Sequence, residues 1–241
     1  MIRWFAVILL AVVLSSFVIP KYSLFYNGLV MYLPLKNTGG KIANDYSLYK
    51  NNGTLNGGAI FKNNYCLFTS GTSDWINCGS NSTLNISSGK LTISCWINAT
   101  NNAQNGGVVG KWFSGAATDN SYLLLVGQDF LNNKFSFHLQ QSNNTKQVLL
   151  ATETYLANTW YHLVGTADGT TMKLYINGVL SATTQTYDGT IKVSTKKVVV
   201  GRLREDDNIY SFEGRIRDVM IYNRALNYTE VRSLYVKQFN L

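Results

Sequence analysis

Residues 158–178, N-T-W-Y-H-L-V-G-T-A-D-G-T-T-M-K-L-Y-I-N-G, hold two hairpin-turn pairs, Asp168-Gly169 and Asn177-Gly178, nine residues apart. Each pair can supply φ > 0 at both central positions of a type I′ turn, whose twist suits two antiparallel strands. Between the pairs, Met172, Leu174 and Ile176 alternate with Thr171, Lys173 and Tyr175. A period of two is the pattern of a strand with one buried face. A three-strand meander is therefore expected here, and an antiparallel β protein as a whole.

The rest of the chain agrees. Strands are expected at residues 29–35, 54–61, 65–69, 75–78, 91–97, 107–112, 122–126, 135–139, 148–151, 198–201 and 212–222. In L-T-I-S-C-W-I, Leu91, Ile93, Cys95 and Ile97 share one face and Thr92, Ser94 and Trp96 the other. Strict alternation fails between Ile216 and Val219, so a β-bulge is expected near Arg217-Asp218. One helix is signalled near the end. Asn227 precedes Glu230 by three residues, as in a capping box, and Val231, Leu234 and Tyr235 follow at helical spacing. Many short strands with regular turns imply a sandwich or barrel.

At 241 residues and 46% hydrophobic content the chain can bury a full core, and with two prolines and no linker one folded domain is expected over residues 22–241. Residues 1–21 differ. After Met1-Ile2-Arg3, the sixteen residues Trp4 to Ile19 carry no charge, and Pro20-Lys21 closes the run. This is the pattern of an N-terminal hydrophobic helix, either a signal peptide or a membrane anchor. The remainder is expected at the cell surface, anchored or secreted. Cys66 and Cys78 would face each other if residues 66–78 form a hairpin, which suits a disulfide outside the cell and leaves Cys95 free. Three buried thiols are the alternative. The formal charge of +8 is concentrated late, at Lys196, Lys197, Arg202, Arg204, Arg215, Arg217, Arg224, Arg232 and Lys237. That charge is either ordinary solvated surface or a preference for acidic glycans or an anionic surface. No nucleic-acid-binding motif occurs, so nucleic acid is not expected as a partner.

Five segments, in order, resemble the LamG-like jelly-roll domains of the concanavalin A-like lectin/glucanase superfamily. They are G-L-V-M-Y-L-P-L (28–35), D-Y-S-L-Y-K-N-N-G-T-L (45–55), L-T-I-S-C-W-I (91–97), W-Y-H-L-V-G-T (160–166) with L-Y-I-N-G-V-L (174–180), and F-E-G-R-I-R-D-V-M-I-Y-N-R-A-L (212–226). The resemblance implies an all-β, antiparallel two-sheet jelly-roll sandwich with a short C-terminal helix. It leaves function open, since the fold hosts lectins, adhesion modules and hydrolases. Relatives often bind calcium between the early loop and the closing strand, which implies Asp45 and Asp218 as ligands. Against this, Lys36, Asn37 and Arg217 stand where relatives carry acids.

No catalytic residue is expected. Glycoside hydrolysis needs two facing carboxyl groups, and Glu153, Glu205, Glu213 and Glu230 stand in no Glu-x-Asp-x-x-Glu pattern. His138 and His162 lie in strands without a placed nucleophile and are read as structural. Carbohydrate or glycoprotein recognition would use exposed aromatics, with Trp75, Trp112, Tyr122, Tyr187 and Tyr210 as candidates against a packing role. The loop R-E-D-D-N-I-Y, with Asp206, Asp207 and Tyr210, is the preferred ligand contact. A surface protein that binds protein partners without sugar is the alternative.

Overall fold

The computed structural model describes residues 23–36, 39–69, 74–101, 104–113, 119–127, 133–181, 184–204 and 210–238. The early strands are β1 (Leu29–Leu33), β2 (Ile42–Ala43), β3 (Gly53–Asn56), β4 (Ile60–Lys62), β5 (Tyr65–Phe68) and β6 (Trp75–Asn77). The middle of the chain gives β7 (Lys90–Ala99), β8 (Gly106–Lys111), β9 (Tyr122–Val126), β10 (Lys134–Gln140) and β11 (Lys146–Thr154). Last come β12 (Trp160–Asp168), β13 (Thr171–Ile176), β14 (Val179–Leu180), β15 (Gln185–Thr186), β16 (Val199–Val200) and β17 (Gly214–Tyr222). Two helices, α1 (Ser23–Tyr26) and α2 (Tyr228–Gln238), flank them. The N-terminal apolar run lies outside the described residues. No described helix is long and apolar enough to cross a membrane.

All pairings are antiparallel, and they build two sheets. The first runs β14-β13-β12-β7-β17-β5-β4, with β1 also on β17 and β15 on β13. The second runs β11-β10-β9-β8-β16-β6-β3-β2. Ile93, Cys95 and Ile97 from the first face Leu124, Phe137 and Leu139 from the second across one continuous core. This is a jelly-roll sandwich.

The expected meander forms, with one shift. Asn177 and Gly178 both have positive φ, +51° and +75°, as a type I′ turn requires. At the other turn Asp168 still belongs to β12 and only Gly169 has positive φ. The Asp168 carboxylate accepts the backbone N–H groups of Thr170 and Thr171, and this side-chain turn displaces the hairpin by a residue.

The expected strand over 54–61 is two strands in different sheets, and residues 66–78 form no hairpin. The buried Asp74 carboxylate accepts from the Gly58 and Thr69 N–H groups, which holds both corners where the chain changes sheet. Cys66 therefore lies in β5 of the first sheet and Cys78 just past β6 of the second, and all three cysteines are free and buried. The disulfide expected from the hairpin does not form. Burial pushes the thiols of Cys66 and Cys78 up to about 12.

β7 is buried on both faces, Trp96 and Thr92 included. The outer face is covered by α2. Val231 and Leu234 pack with Val164, Tyr175, Met220 and Tyr222, and the Tyr235 ring stacks on Trp96 at 5.7 Å. The capping box forms as expected: the Asn227 side chain accepts the Glu230 N–H and the Glu230 carboxylate accepts the Asn227 N–H. Most of the late basic charge is also structural, because eight of the nine residues lie over aromatic rings. Replacing Asn227 by Ala should cost about 1 kcal/mol, read as a lower urea midpoint with an unchanged m-value.

Candidate functional site

Between β2 and β3 the chain makes a nine-residue loop, 44–52, with its polarity inverted. Asp45, Ser47 and Asn51 point inward and are buried, whereas Tyr46, Leu48 and Tyr49 are 53%, 89% and 46% exposed. Water normally sorts side chains the other way. Hydrogen bonds enforce the inversion. Asp45 Oδ1 accepts from the N–H groups of Tyr32 at 2.7 Å and Ser47 at 2.8 Å. Its Oδ2 accepts from the Asn51 N–H at 2.7 Å and the Ser47 hydroxyl at 2.6 Å. The Asn51 amide donates onward to the Val30 carbonyl and to Thr83 Oγ1. The loop is thus fastened from beneath.

A hollow lies on each side. One, of about 290 Å³, is lined by Tyr32, Pro34, Lys36, Asn44, Tyr46 and Phe61. The Tyr32 and Tyr46 rings meet there at 6.2 Å and 58°. The other, of about 270 Å³, sets Tyr49 against a polar wall of Ser82, Thr83, Asn85, Ser88 and Asn223. Leu35 and Lys50 hold φ of +57° and +54° here, and Asp218 holds +52°. Non-glycine residues rarely adopt this conformation, and it concentrates at functional sites. From Pro34 to Lys62 the only acidic residue is Asp45, whereas Lys36, Lys41, Lys50 and Lys62 are basic. The surface around the loop is therefore cationic as well as aromatic.

The expected bulge in β17 is present, as a register shift between Arg217 and Met220 against β7. It turns Asp218 inward, where Oδ2 accepts from Arg217 Nη1 at 2.8 Å and Oδ1 accepts from the Tyr32 hydroxyl at 3.0 Å. Tyr32 thus joins Asp45 through its N–H and Asp218 through its hydroxyl. Burial raises the Asp218 carboxyl above the usual range despite the opposing pull of Arg217. The Arg217 guanidinium lies over Trp96 and Trp160 at 4.7 and 5.3 Å. Calcium requires oxygen atoms with free lone pairs. Asp45 already accepts four hydrogen bonds, and Asp218 is neutralised by an arginine. The two aspartates implied as calcium ligands do not fit a cation.

The other candidates lie elsewhere. Trp112 is 6% exposed, packs with Leu123, Leu125 and Leu203, and meets His138 edge-on at 5.7 Å. Tyr210 packs against that cluster with Arg204 over its ring. Asp206 and Asp207 lie outside the described residues. Arg202 covers Trp75 at 4.1 Å, and Tyr122 is buried with its hydroxyl donating to the Leu84 carbonyl. The Tyr187 hydroxyl donates to the Gly89 carbonyl. These contacts of Trp75, Trp112, Tyr122 and Tyr187 involve no residue of the 44–52 loop. The sequence signal that marks that loop is Tyr-Ser-Leu-Tyr, an apolar run set among Asn, Lys and Gly.

Glu153 in β11, Glu213 just before β17 and Glu230 in α2 bond Ser181, Asn101 and Arg224 respectively. Both histidines are buried. His162 Nε2 pairs with Ser94 Oγ at 2.9 Å and His138 Nε2 with Ser136 Oγ at 2.8 Å. Burial, with Arg217 near His162 and Lys146 near His138, drives both imidazoles down to about 3.

Fold and site together define a jelly-roll sandwich built to present a fastened, aromatic loop. A family model of the concanavalin A-like lectin/glucanases superfamily, Laminin_G_3, matches residues 70–232, more than half of the chain, and the chain belongs to this superfamily. No curated protein matches the sequence significantly. Among solved structures, the binding domain of Paraclostridial Mosquitocidal Protein 1 is similar at a TM-score of 0.68 and 18% identity, over 88% of this chain and 53% of that one. The receptor binding domain of botulinum neurotoxin D is similar at 0.65 and 21%, over 88% and 53%. The serotype D ligand binding domain in complex with N-acetylneuraminic acid is similar at 0.64 and 21%, over 88% and 52%. The chain spans about half the length of these solved chains.

Two outcomes follow from the buried groups. Millimolar calcium and EDTA should give the same melting temperature, while Arg217→Met, which strands Asp218, should cost roughly 3 kcal/mol. The histidines are neutral when folded but take up protons near pH 6.5 when unfolded. The unfolded state then binds more protons between about pH 3 and 6.5, so the stability they contribute is complete above that window and falls as pH drops through it. Urea midpoints should be lower at about pH 5 than at about pH 7.5, with a smaller difference in His138→Gln.

Proposed function

We propose that this chain is a non-catalytic binding module, acting outside the cell, that recognises carbohydrate through the 44–52 loop. The inverted polarity of that loop carries the reading, because Asp45 holds Tyr46 and Tyr49 outward at a cost in exposed apolar surface. A pyranose face stacks on an exposed aromatic ring, and hydroxyls pair with amides and hydroxyls beside it. Asn44 and Lys36 flank Tyr46, and Asn85, Ser88 and Asn223 flank Tyr49. The superfamily, and the binding domains to which the fold is similar, support the reading; one of them was solved with a bound N-acetylneuraminic acid. The N-terminal apolar run supports export, with the domain either held at the membrane or released.

The second reading, adhesion to a protein partner, has its own observation. Ile42, two residues before the loop, and Leu48 within it are 46% and 89% exposed, apolar surface that a sugar does not need.

A panel of immobilised glycans separates the two. Binding that falls about tenfold in Tyr46→Ala or Tyr49→Ala, a loss of about 1.4 kcal/mol, with an unchanged melting temperature, supports carbohydrate recognition here. Binding that persists in both variants moves the site elsewhere, and an absence of binding by the folded chain favours the protein partner.

A further inference from the structure

The termini of the described chain meet at one end of the sandwich. β1 begins beside the end of β17, with Leu29 opposite Tyr222, so α1 before β1 and α2 after β17 are neighbours. Between them lies a groove of about 250 Å³, lined by Phe25, Tyr222, Leu226, Ser233, Lys237 and Glu230. The ammonium of Lys237 sits over the Phe25 ring at 3.7 Å. Tyr26 and Val236 nearby are 51% and 45% exposed. From Tyr222 to Gln238 the only acidic residue is Glu230, and Arg224 holds both of its oxygens, at 3.0 and 2.7 Å. Arg232 and Lys237 are exposed on the same helix. The groove is therefore mostly apolar, its one carboxylate is paired with Arg224, and its surroundings are basic.

The sequence says what lies next to it. The uncharged run Trp4 to Ile19 ends three residues before Ser23, the first residue of α1. Three residues span at most about 10 Å. If that run is seated in a bilayer, the groove cannot be far from the headgroups. Aromatic and basic side chains are the ones that favour that layer, and anionic headgroups attract a basic surface close to the bilayer.

We infer that the α1–α2 end of the sandwich is a membrane-apposed surface, with Arg232 and Lys237 on anionic headgroups and the groove against acyl chain. This rests on the N-terminal run being retained as an anchor. The inference goes beyond an anchor, because it fixes which end of the domain meets the lipid and gives that end a role in holding it.

Single cysteines report the geometry in the full chain. The three native thiols are buried, and the raised thiol values of Cys66 and Cys78 keep them protonated near neutral pH, so a maleimide dye goes to an added cysteine. Ser233→Cys lines the groove. Leu156→Cys, 63% exposed, serves as the distant position. It lies by the far end of β7, where the Asn158 N–H donates to Ala99, whereas Thr92 at the near end bonds Leu226. Seven residues of strand separate those ends, about 23 Å. The full chain goes into nanodiscs of phosphatidylcholine with about a third phosphatidylserine and nitroxide-labelled lipid. Quenching at Ser233→Cys should exceed that at Leu156→Cys by roughly twofold or more, and Arg232→Glu with Lys237→Glu should remove most of the excess. Equal quenching at the two positions overturns the inference while leaving the anchor intact. So does shielding of Ser233→Cys that follows protein concentration instead of lipid, the sign of a second copy in the groove. Intact mass of the membrane-fraction protein tests the anchor itself: a chain beginning after Ile19 overturns both.

Discussion

β17 pairs with β7 along one edge and shares its other edge between β1 and β5, so the last strand of the chain is held by the first. Three properties depend on this closure. It aligns α1 and α2 at one end. It buries the outer face of β7 by delivering α2 across Trp96. Its bulge, by skipping a register position between Arg217 and Met220, turns Asp218 inward to meet Tyr32. A closure between strands almost 190 residues apart must also form against a large loop entropy, so it is expected late in folding. The candidate site, which needs Tyr32 seated, can be no earlier.

The inverted loop is the counterpart of that closure. A loop that buries polar groups and exposes aromatic ones stands only if every buried polar atom finds a partner. Asp45 meets that condition with four donors from three residues, and Asn51 ties the far side of the loop to Val30 and Thr83. The exposed rings then need not be ordered on binding, which removes an entropic cost that a mobile loop would carry. The late basic residues show another use of aromatic rings. Arginines over Trp75, Tyr65, Trp96 and Tyr222 bury their stems while keeping charge near water. The net charge alone therefore does not define an anion-binding face.

Much of the fold was legible because its signals are local. Asn177-Gly178 sets its own turn, Asn227 and Glu230 their own cap, and the parity break at Arg217-Asp218 its own bulge. Residues 66–78 were not legible as a change of sheet. Alternation shows which residues face inward but not which sheet receives them, and the deciding interaction, Asp74 reaching Gly58 and Thr69, spans sixteen residues in sequence. The candidate site was half legible. Asp45 and Asp218 were both marked, but their hydrogen-bond partners determine what they do. Sequence does not distinguish a ring packed in a cluster, as at Trp112, or under an arginine, as at Tyr210, from one in open solvent, as at Tyr46 and Tyr49.

The Arg217–Asp218 pair also bears on how the site is regulated. A metal between the early loop and the closing strand would make the loop conditional on ion concentration, because its binding energy is added by mass action. Here the positive charge is part of β17 and is fixed between Trp96, Trp160 and Asp218. It arrives with the strand and needs no ion. The nearby His162, kept neutral partly by Arg217, follows from the same fixed charge. A loop so supported is held in one state instead of being switched; under the proposed function, its selectivity would come from the shapes of the hollows beside Tyr46 and Tyr49.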